Sequence, residues 1–301
     1  MKKKQQFKSR KENINGVLLL DKPIGLSSNQ ALQRVKWLFQ AKKVGHTGSL
    51  DPLATGLLPL CFGQATKVSQ YLLDSHKKYT TTIKLGEVTD TLDSEGEVID
   101  VRSVDVSDEQ IQQALEQFRG EIKQVPPMYS ALKKDGQPLY KLARKGEVIE
   151  RPARDMVVHG LTAERVDECH VRLNVHCSSG FYIRSLAFDL GEMLGCGAHV
   201  VELRRTDIKS LSIERAITIE EIEATKDIKS LLLPIDSLLQ EMPQITVSDQ
   251  QASDLLNGKT VLAEGLITTE LSRFYTPEGR LFAIGEVTDS EHLKTHRIFV
   301  E

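Results

Sequence analysis

The sequence has no long apolar run: none of its segments approaches the roughly 20 residues that a helix needs to cross a bilayer. Its first ten residues are basic and polar and no hydrophobic stretch follows them, so we expect that they are not a secretory signal. The composition, 40% hydrophobic and 27% charged, is typical of a soluble globular protein. We therefore expect a cytoplasmic protein that does not bind membranes.

Cysteine and the common cofactor motifs are also scarce. The four cysteines show no C-x-x-C spacing, which favours reduced, mostly buried thiols over disulfides or a metal site. His170 and His176 would share one face of a strand, but six residues of strand span about 20 Å, too far for one metal ion. The sequence has no Walker loop and no G-x-G-x-x-G for binding phosphates, and no G-x-S-x-G or H-E-x-x-H motif of hydrolases. The sequence thus predicts no metal and no cofactor, and leaves carboxylate chemistry.

An excess of charge of one sign is missing too, because the formal net charge is only −3. The basic residues are nevertheless clustered in a tail over residues 1–14 and in a long segment over about residues 126–154. This second segment, the basic loop, includes Lys133, Arg144 and Arg154. Clusters of like charge usually form only a solvated surface, but basic clusters on loops could contact phosphates. A loop of this length is usually functional or mobile.

Hydrophobic periodicity and capping signals predict strands and helices in mixed order. An apolar strand over residues 17–20 precedes a helix that Ser27 and Gln30 would begin with a capping box and that should end near Gly45. A second capping box, Ser107 with Gln110, would begin another helix. Further strands are predicted by alternation at residues 79–85, 157–166, 170–177 and 280–287, and further helices at residues 182–194 and 249–256.

This order lacks regular βαβ alternation and therefore favours an α+β fold. At 301 residues the chain exceeds the usual size of one core, so we expect two domains. The predicted boundary lies near Met242 and Pro243. It separates a main domain, residues 15–242, from a small β-rich module, residues 243–301.

The segment GHTGSLDPLATG, residues 45–56, is the densest candidate site. Its glycines allow a ligand to approach the backbone closely. Asp51 precedes Pro52, which favours extended backbone and could aim the carboxylate into a cleft. The plain alternative is that Asp51 only begins a turn, as Asp-Pro often does.

This segment, extended to GHTGSLDPLATGLLPL, resembles the signature of the TruB family of tRNA pseudouridine synthases. DKPIGLSS before it and KKYTTTIKLGEVTDTLDSEGE, PPMYSALKKDGQPLYKLARKG, GFYIRSLAFDLG and HVVELRRT after it occur in the family's order and cover most of the chain. The resemblance implies a central mixed, largely antiparallel sheet flanked by helices and loops, with a PUA-like RNA-binding domain at the C-terminus. It also implies conversion of uridine to pseudouridine at position 55 in the T loop of tRNA, without a cofactor.

The resemblance further implies roles for single residues. Asp51 would be the essential carboxylate, Arg184 its partner, and Tyr79 the residue that stacks on the base and assists proton removal at C5. His46 would help to fill the space left by flipped bases. Lys22 and Pro23 match a motif behind the catalytic loop, Asp93 and Leu203 match pocket positions, and the basic loop matches an insertion that closes over RNA, which makes Lys133, Arg144 and Arg154 candidate phosphate contacts.

Residue by residue, simpler interpretations stay open: a surface arginine at 184, core side chains at 79 and 203, an ordinary loop histidine at 46. Two other functions are also possible. The protein could be an RNA-binding or tRNA-folding helper with dispensable catalytic residues, or a carboxylate-dependent nucleoside or glycosyl hydrolase. No heptad run indicates a dimer, so we expect a monomer.

Overall fold

The structure, a computed structural model, describes residues 11–263 and 270–299. Positions 1–10 of the predicted basic tail lie outside the described residues. The strands in chain order are β1 (Gly16–Lys22), β2 (Val44–His46), β3 (Thr55–Phe62), β4 (Lys77–Leu85), β5 (Glu87–Thr89), β6 (Val98–Val101), β7 (Gly120–Gln124), β8 (Lys133–Lys134), β9 (Gln137–Pro138), β10 (Arg154–Arg165), β11 (His170–Cys177), β12 (Ala198–Ile208), β13 (Leu211–Ser212), β14 (Gln244–Thr246), β15 (Val261–Leu262), β16 (Ser272–Tyr275), β17 (Leu281–Val287) and β18 (His292–Ile298).

The helices are shorter and lie between the strands. They are α1 (Ser28–Leu38), α2 (Gln70–Leu73), α3 (Asp108–Leu115), α4 (Leu139–Ala143), α5 (Ile183–Met193), α6 (Ile219–Ala224) and α7 (Asp249–Leu256). Short 3-10 turns cover Gly63–Lys67, Glu116–Phe118, Ile213–Arg215, Ile228–Leu231 and Ile235–Leu238. No helix in residues 11–263 and 270–299 is long and apolar enough to cross a membrane.

A nine-stranded sheet forms the main part of the molecule, in the order β1-β3-β12-β4-β11-β10-β7, with β2 paired to β3 and β13 to β12. All pairs are antiparallel except β3–β12, which is parallel. The α+β fold with a mixed, largely antiparallel sheet is therefore confirmed. β1 is apolar on both faces because Leu18 and Leu20 pack into one core, and Val17 and Leu19 into another.

The capping boxes predicted at Ser27 and Ser107 are both present, and each serine accepts a hydrogen bond from the backbone of the glutamine three residues later. The predicted end of the first helix near Gly45 is wrong. Helix α1 ends at Leu38, and Gln40 takes a left-handed φ of 50° that usually favours glycine. Residues 44–46 then form β2, at the entrance to the candidate loop.

The basic loop is more regular than its sequence suggests. The two-residue strands β8 and β9 pair antiparallel around Asp135 and Gly136, whose φ values are 51° and 80°. Positive φ at both central residues is what a type I′ hairpin turn requires, and Asp-Gly favours it. Helix α4 follows, with Leu139 and Leu142 buried. The expectation of an irregular segment missed this hairpin signal.

The C-terminal part is β-rich as predicted, with a five-stranded sheet ordered β14-β16-β17-β18-β15. Its own core includes Phe274, Phe282 and Leu293. Ile284 and Phe299 pack instead with Val17 and its neighbours in a core of the main sheet. The two sheets therefore share apolar contacts.

The register of the main sheet places four residues from distant parts of the chain in one row. Lys22 of β1 is opposite Gly56 of β3, Gly56 is opposite Arg205 of β12, and Arg205 is opposite Tyr79 of β4. This row crosses the sheet beneath the segment that carries Asp51. A glycine is needed within it, because a Cβ atom at position 56 would lie 2.3 Å from the Arg205 carbonyl oxygen.

We expect Gly56→Ala to lower the free energy of unfolding by about 3 kcal/mol, since it adds this clash to a φ of +100°. Gly120→Ala is the matched control: its φ is +76° and its Cβ would meet nothing within 4 Å, so we expect a loss of about 1 kcal/mol. Urea unfolding measures both values. Equal losses at the two positions would contradict the role given to the row.

Candidate active site

Asp51 lies in the segment between β2 and β3, and hydrogen bonds at both sides hold this segment. Ser28, in the first turn of α1, accepts a hydrogen bond from the Leu50 amide at 2.7 Å and donates to the Leu50 carbonyl at 3.0 Å. The Ala54 amide donates to the Asp51 carbonyl at 3.1 Å and closes a tight turn. The Asp-Pro sequence thus forms a turn, and the turn presents the carboxylate to a cleft.

Lys22 is fully buried behind this segment. Its ammonium group donates to the carbonyls of Pro23 at 2.8 Å, Leu26 at 2.5 Å and Pro52 at 3.5 Å. Burial lowers the pKa of Lys22 to about 8, and the charge of Asp51 opposes the shift. Lys22 and Pro23 therefore lie behind the segment that carries Asp51 and connect it to the end of β1.

Arg184 lies in the first turn of α5, where the helix dipole disfavours a cation. Four acceptors surround its guanidinium: the carboxylates of Asp51 at 2.8 Å and Asp93 at 3.3 Å, and the carbonyls of Thr91 at 3.1 Å and Tyr129 at 2.7 Å. Only 6% of the side chain is exposed. This set of acceptors explains how a buried cation is accommodated there.

The start of α5 is itself held from β7. The Gln124 side chain accepts from the Tyr182 amide at 2.8 Å and donates to the Tyr182 carbonyl at 3.0 Å. Gln124 is buried, so its amide is fixed and fixes the first turn of the helix in return. This contact positions Arg184 and was not foreseen from the sequence.

The Asp51 carboxylate keeps 43% of its side-chain surface exposed, at the floor of the cleft. Burial raises its pKa and the charge of Asp93 adds to this, while Arg184 and Lys22 lower it. The net shift is upward from the ordinary value of 3.8. Arg184 thus offsets only part of the cost of placing the charge there.

A cleft of about 310 Å³ opens above these groups. Its lining includes Asp51, Tyr79, Tyr182, Arg184, Leu203 and Arg205. Burial raises the pKa of Tyr79, and Arg205 opposes the shift. An aromatic ring and an apolar side chain beside a paired carboxylate could hold a flat heterocycle.

The other predicted site residues lie outside the walls of this cleft. Asp93 is buried behind Arg184, where its carboxylate accepts from the Thr91 hydroxyl at 2.6 Å. His46 is half-buried on β2, and burial lowers its pKa, so the ring is neutral at pH 7. Lys133, Arg144 and Arg154 are all exposed, on the hairpin, after α4 and at the start of β10.

Sequence reasoning missed Arg205, Lys77 and Tyr182 as cleft residues. The signal for Arg205 was available: it follows Leu203 by two positions, so alternation places both side chains on one face of β12. The segment quoted as HVVELRRT contains it.

Solved structures resemble the whole described architecture. The structure titled "Crystal Structure of a Cbf5-Nop10-Gar1 Complex" is 26% identical with a TM-score of 0.70, over 95% of this chain and 85% of that chain. That titled "Structure of H/ACA RNP bound to a substrate RNA containing 2'-deoxyuridine" is 24% identical with a TM-score of 0.72, over the same shares. The sheet, the cleft and these likenesses together define the pseudouridine synthase fold.

Family models match successive parts of the chain. "TruB family pseudouridylate synthase (N terminal domain)" matches residues 36–183, "tRNA pseudouridylate synthase B C-terminal domain" residues 184–240, and "Pseudouridine synthase II TruB, C-terminal" residues 243–299. Proteins named tRNA pseudouridine synthase B from Ectopseudomonas mendocina (strain ymp) and Pseudomonas aeruginosa (strain UCBPP-PA14) are 50% and 49% identical, each over 97% of this chain and 98% of their own. The chain belongs to the TruB family of pseudouridylate synthases.

Proposed function

We propose that this enzyme isomerises uridine to pseudouridine at position 55 in the T loop of tRNA, with Asp51 as the catalytic carboxylate. The observation that carries the proposal is the 2.8 Å contact between Asp51 and Arg184 at the floor of the cleft. Membership of the TruB family and the printed names of the relatives support the reaction and the class of RNA.

The reaction breaks the N1–C1′ bond of uridine, turns the uracil and joins C5 to C1′. The C5 proton leaves and N1 gains a proton, so no external reactant is consumed. A carboxylate beside C1′ can serve in three ways: it can attack the sugar or the base, stabilise positive charge on the sugar, or take a sugar proton. Asp51, paired to Arg184 and partly exposed, is suited to each.

The target base has to leave the stacked T loop to reach Asp51. The cleft, with a volume of about 310 Å³, can hold one base, with Tyr79 and Leu203 available to contact its faces. We propose that His46, at the end of β2, helps to occupy the space that the flipped base leaves in the T loop. A neutral imidazole suits stacking on bases better than it suits binding a phosphate.

The basic loop would close over the RNA from the side of Arg184. Two hydrogen bonds connect the start of the basic loop to helix α5. Arg184 donates to the Tyr129 carbonyl, and the Ser185 hydroxyl donates to the Val125 carbonyl at 2.8 Å. Its outer part carries Lys133, Arg144 and Arg154 toward solvent. We propose that these three contact phosphates of the stem-loop, that the PUA-like module over residues 243–301 contacts the acceptor end, and that the enzyme works as a monomer.

Binding of tRNA weakens as salt rises, and the slope of log association constant against log salt concentration measures this. Replacing Lys133, Arg144 and Arg154 together by alanine should make this slope less steep by about 2, because each phosphate contact contributes about 0.7–0.9. The turnover number at saturating tRNA should change by less than about threefold. Filter binding at several salt concentrations measures the slope. Lys226→Ala, an exposed lysine outside the loop, is the control; an equal drop in slope for this variant would contradict the assignment.

The function is tested with tRNA transcripts that carry tritium at uracil C5. Wild-type protein should release tritium to water, and mapping of the product should place pseudouridine at position 55. A transcript with cytidine at that position should release none from the T loop. Free uracil among the products would indicate a hydrolase instead, and release from other positions only would refute the assigned site.

A further inference from the structure

Arg205 is a buried cation without a carboxylate partner in the described part of the chain. Only 1% of the residue is exposed. Its Nε donates to the Leu57 carbonyl at 2.8 Å and its Nη2 to the Gly48 carbonyl at 3.3 Å, on either side of Asp51 in the chain. Arg205 also lies opposite Tyr79 in the register of β12 and β4, and both side chains line the cleft.

A guanidinium in this position is costly, because burial disfavours its charge and only neutral groups compensate for it. The neighbouring residue shows the contrast. Arg204, on the same strand, is 42% exposed and pairs with Asp21 at 2.6 Å. A leucine or methionine could fill the Arg205 position without burying a charge. The guanidinium lies at the cleft beside Tyr79, with carbonyl acceptors but no carboxylate partner among the described residues.

We propose, on the basis of the proposed function, that Arg205 is a positioning residue that stabilises negative charge on the Tyr79 oxygen while Tyr79 relays a proton from C5 to N1. The isomerisation moves one proton between these two atoms. Tyr79 would give its phenol proton to N1 and regain one from C5, whose electron pair stays with the ring. The phenol is therefore anionic only between the two transfers, and no other acid or base is consumed.

The groups around Tyr79 are consistent with this order of events. Burial keeps the pKa of Tyr79 above its ordinary value of 10.0, so the resting phenol is neutral. Arg205 favours the anion, while Asp51 and the Cys177 thiol disfavour it. Lys77 lies in the same wall, and its ammonium donates to the Leu73 and Ser75 carbonyls at 3.1 and 2.7 Å rather than to Tyr79. Arg205 is thus the cation placed to stabilise the anion.

The test measures single-turnover rates on tRNA with hydrogen or deuterium at the target C5. Arg205→Lys should lower the rate by about 10²-fold, as for loss of one preorganised donor, and should raise the deuterium isotope effect because proton removal becomes limiting. In a Tyr79→Phe background the same change should lower the rate by less than about threefold, since partners in one step are not additive. Arg204→Lys should change the wild-type rate by less than about twofold.

If Arg205 only holds the segment around Asp51, the rate loss will be equal in both backgrounds and the isotope effect unchanged, which overturns the proposal. If the Arg205 variant does not fold, Tyr79→Phe alone, which keeps Arg205, tests the proton relay. It should slow the reaction and raise the isotope effect, and an unchanged isotope effect would refute the relay. A wild-type protein that makes no pseudouridine would instead refute the proposed function.

Discussion

Asp51→Asn should reduce turnover by at least about 10⁴-fold while leaving tRNA affinity within about tenfold of wild type. The amide has nearly the same shape as the carboxylate, so the turn at Pro52 and the cleft should persist. It cannot attack, cannot take a proton and carries no charge to stabilise a cationic sugar. Binding depends on many phosphate and shape contacts that do not involve this side chain.

Tritium release and filter binding measure these two quantities on the same preparations. Asp21→Asn is the matched control, because Asp21 also pairs with an arginine, Arg204, but lies outside the cleft. We expect it to retain turnover within about threefold. A loss of affinity as large as the loss of rate in Asp51→Asn would show that Asp51 is structural.

Asp51→Asn also distinguishes an enzyme from an RNA-folding helper. If Asp51→Asn restores every phenotype of a deletion strain while tRNA lacks pseudouridine at position 55, then the cell uses the protein for RNA binding. The two duties are compatible, since an enzyme that flips a base must also open and release its RNA. Rescue would therefore show that the cell needs RNA binding more than the isomerisation, and it would not exclude the reaction.

Local sequence was sufficient for features that local interactions determine. The capping boxes at Ser27 and Ser107 each involve four residues, and the alternation of β4 follows from a period of two. The end of α1 was missed because Gln40, not a glycine, takes the left-handed conformation. The β8–β9 hairpin was missed although Asp135-Gly136 carried its signal.

The site itself depends on contacts between distant segments. No local pattern joins Asp51 to Arg184; their pairing was an implication of the family resemblance. Register explains what was overlooked: Arg205 lies opposite Tyr79 because β12 pairs with β4, in a register that continues without a shift from Glu202 to Arg205. Likewise, the burial of Asp93 behind Arg184 is a property of the packed sheet, since its sequence segment is polar and resembles an exposed turn.

Arg184→Gln should lower turnover at pH 7 by about 10³-fold and move the acidic limb of the pH–rate profile to higher pH. The sign follows from the charges around Asp51. Burial and Asp93 raise its pKa and Arg184 lowers it, so removal of the guanidinium raises the pKa further. If Asp51 acts as the carboxylate, activity requires the deprotonated form, and the limb follows this pKa upward.

Arg184→Lys distinguishes charge from geometry. An ammonium keeps the positive charge, so the acidic limb should move much less than in Arg184→Gln. It cannot reach Asp51, Asp93 and the Thr91 and Tyr129 carbonyls together, because it lacks the planar fork, so turnover should still fall by about 10²-fold. Single-turnover rates between pH 4 and 9 give the position of the acidic limb and the height of the plateau of the pH–rate profile separately. An acidic limb that stays in place in the glutamine variant would show that Arg184 does not set the protonation of the group that limits activity.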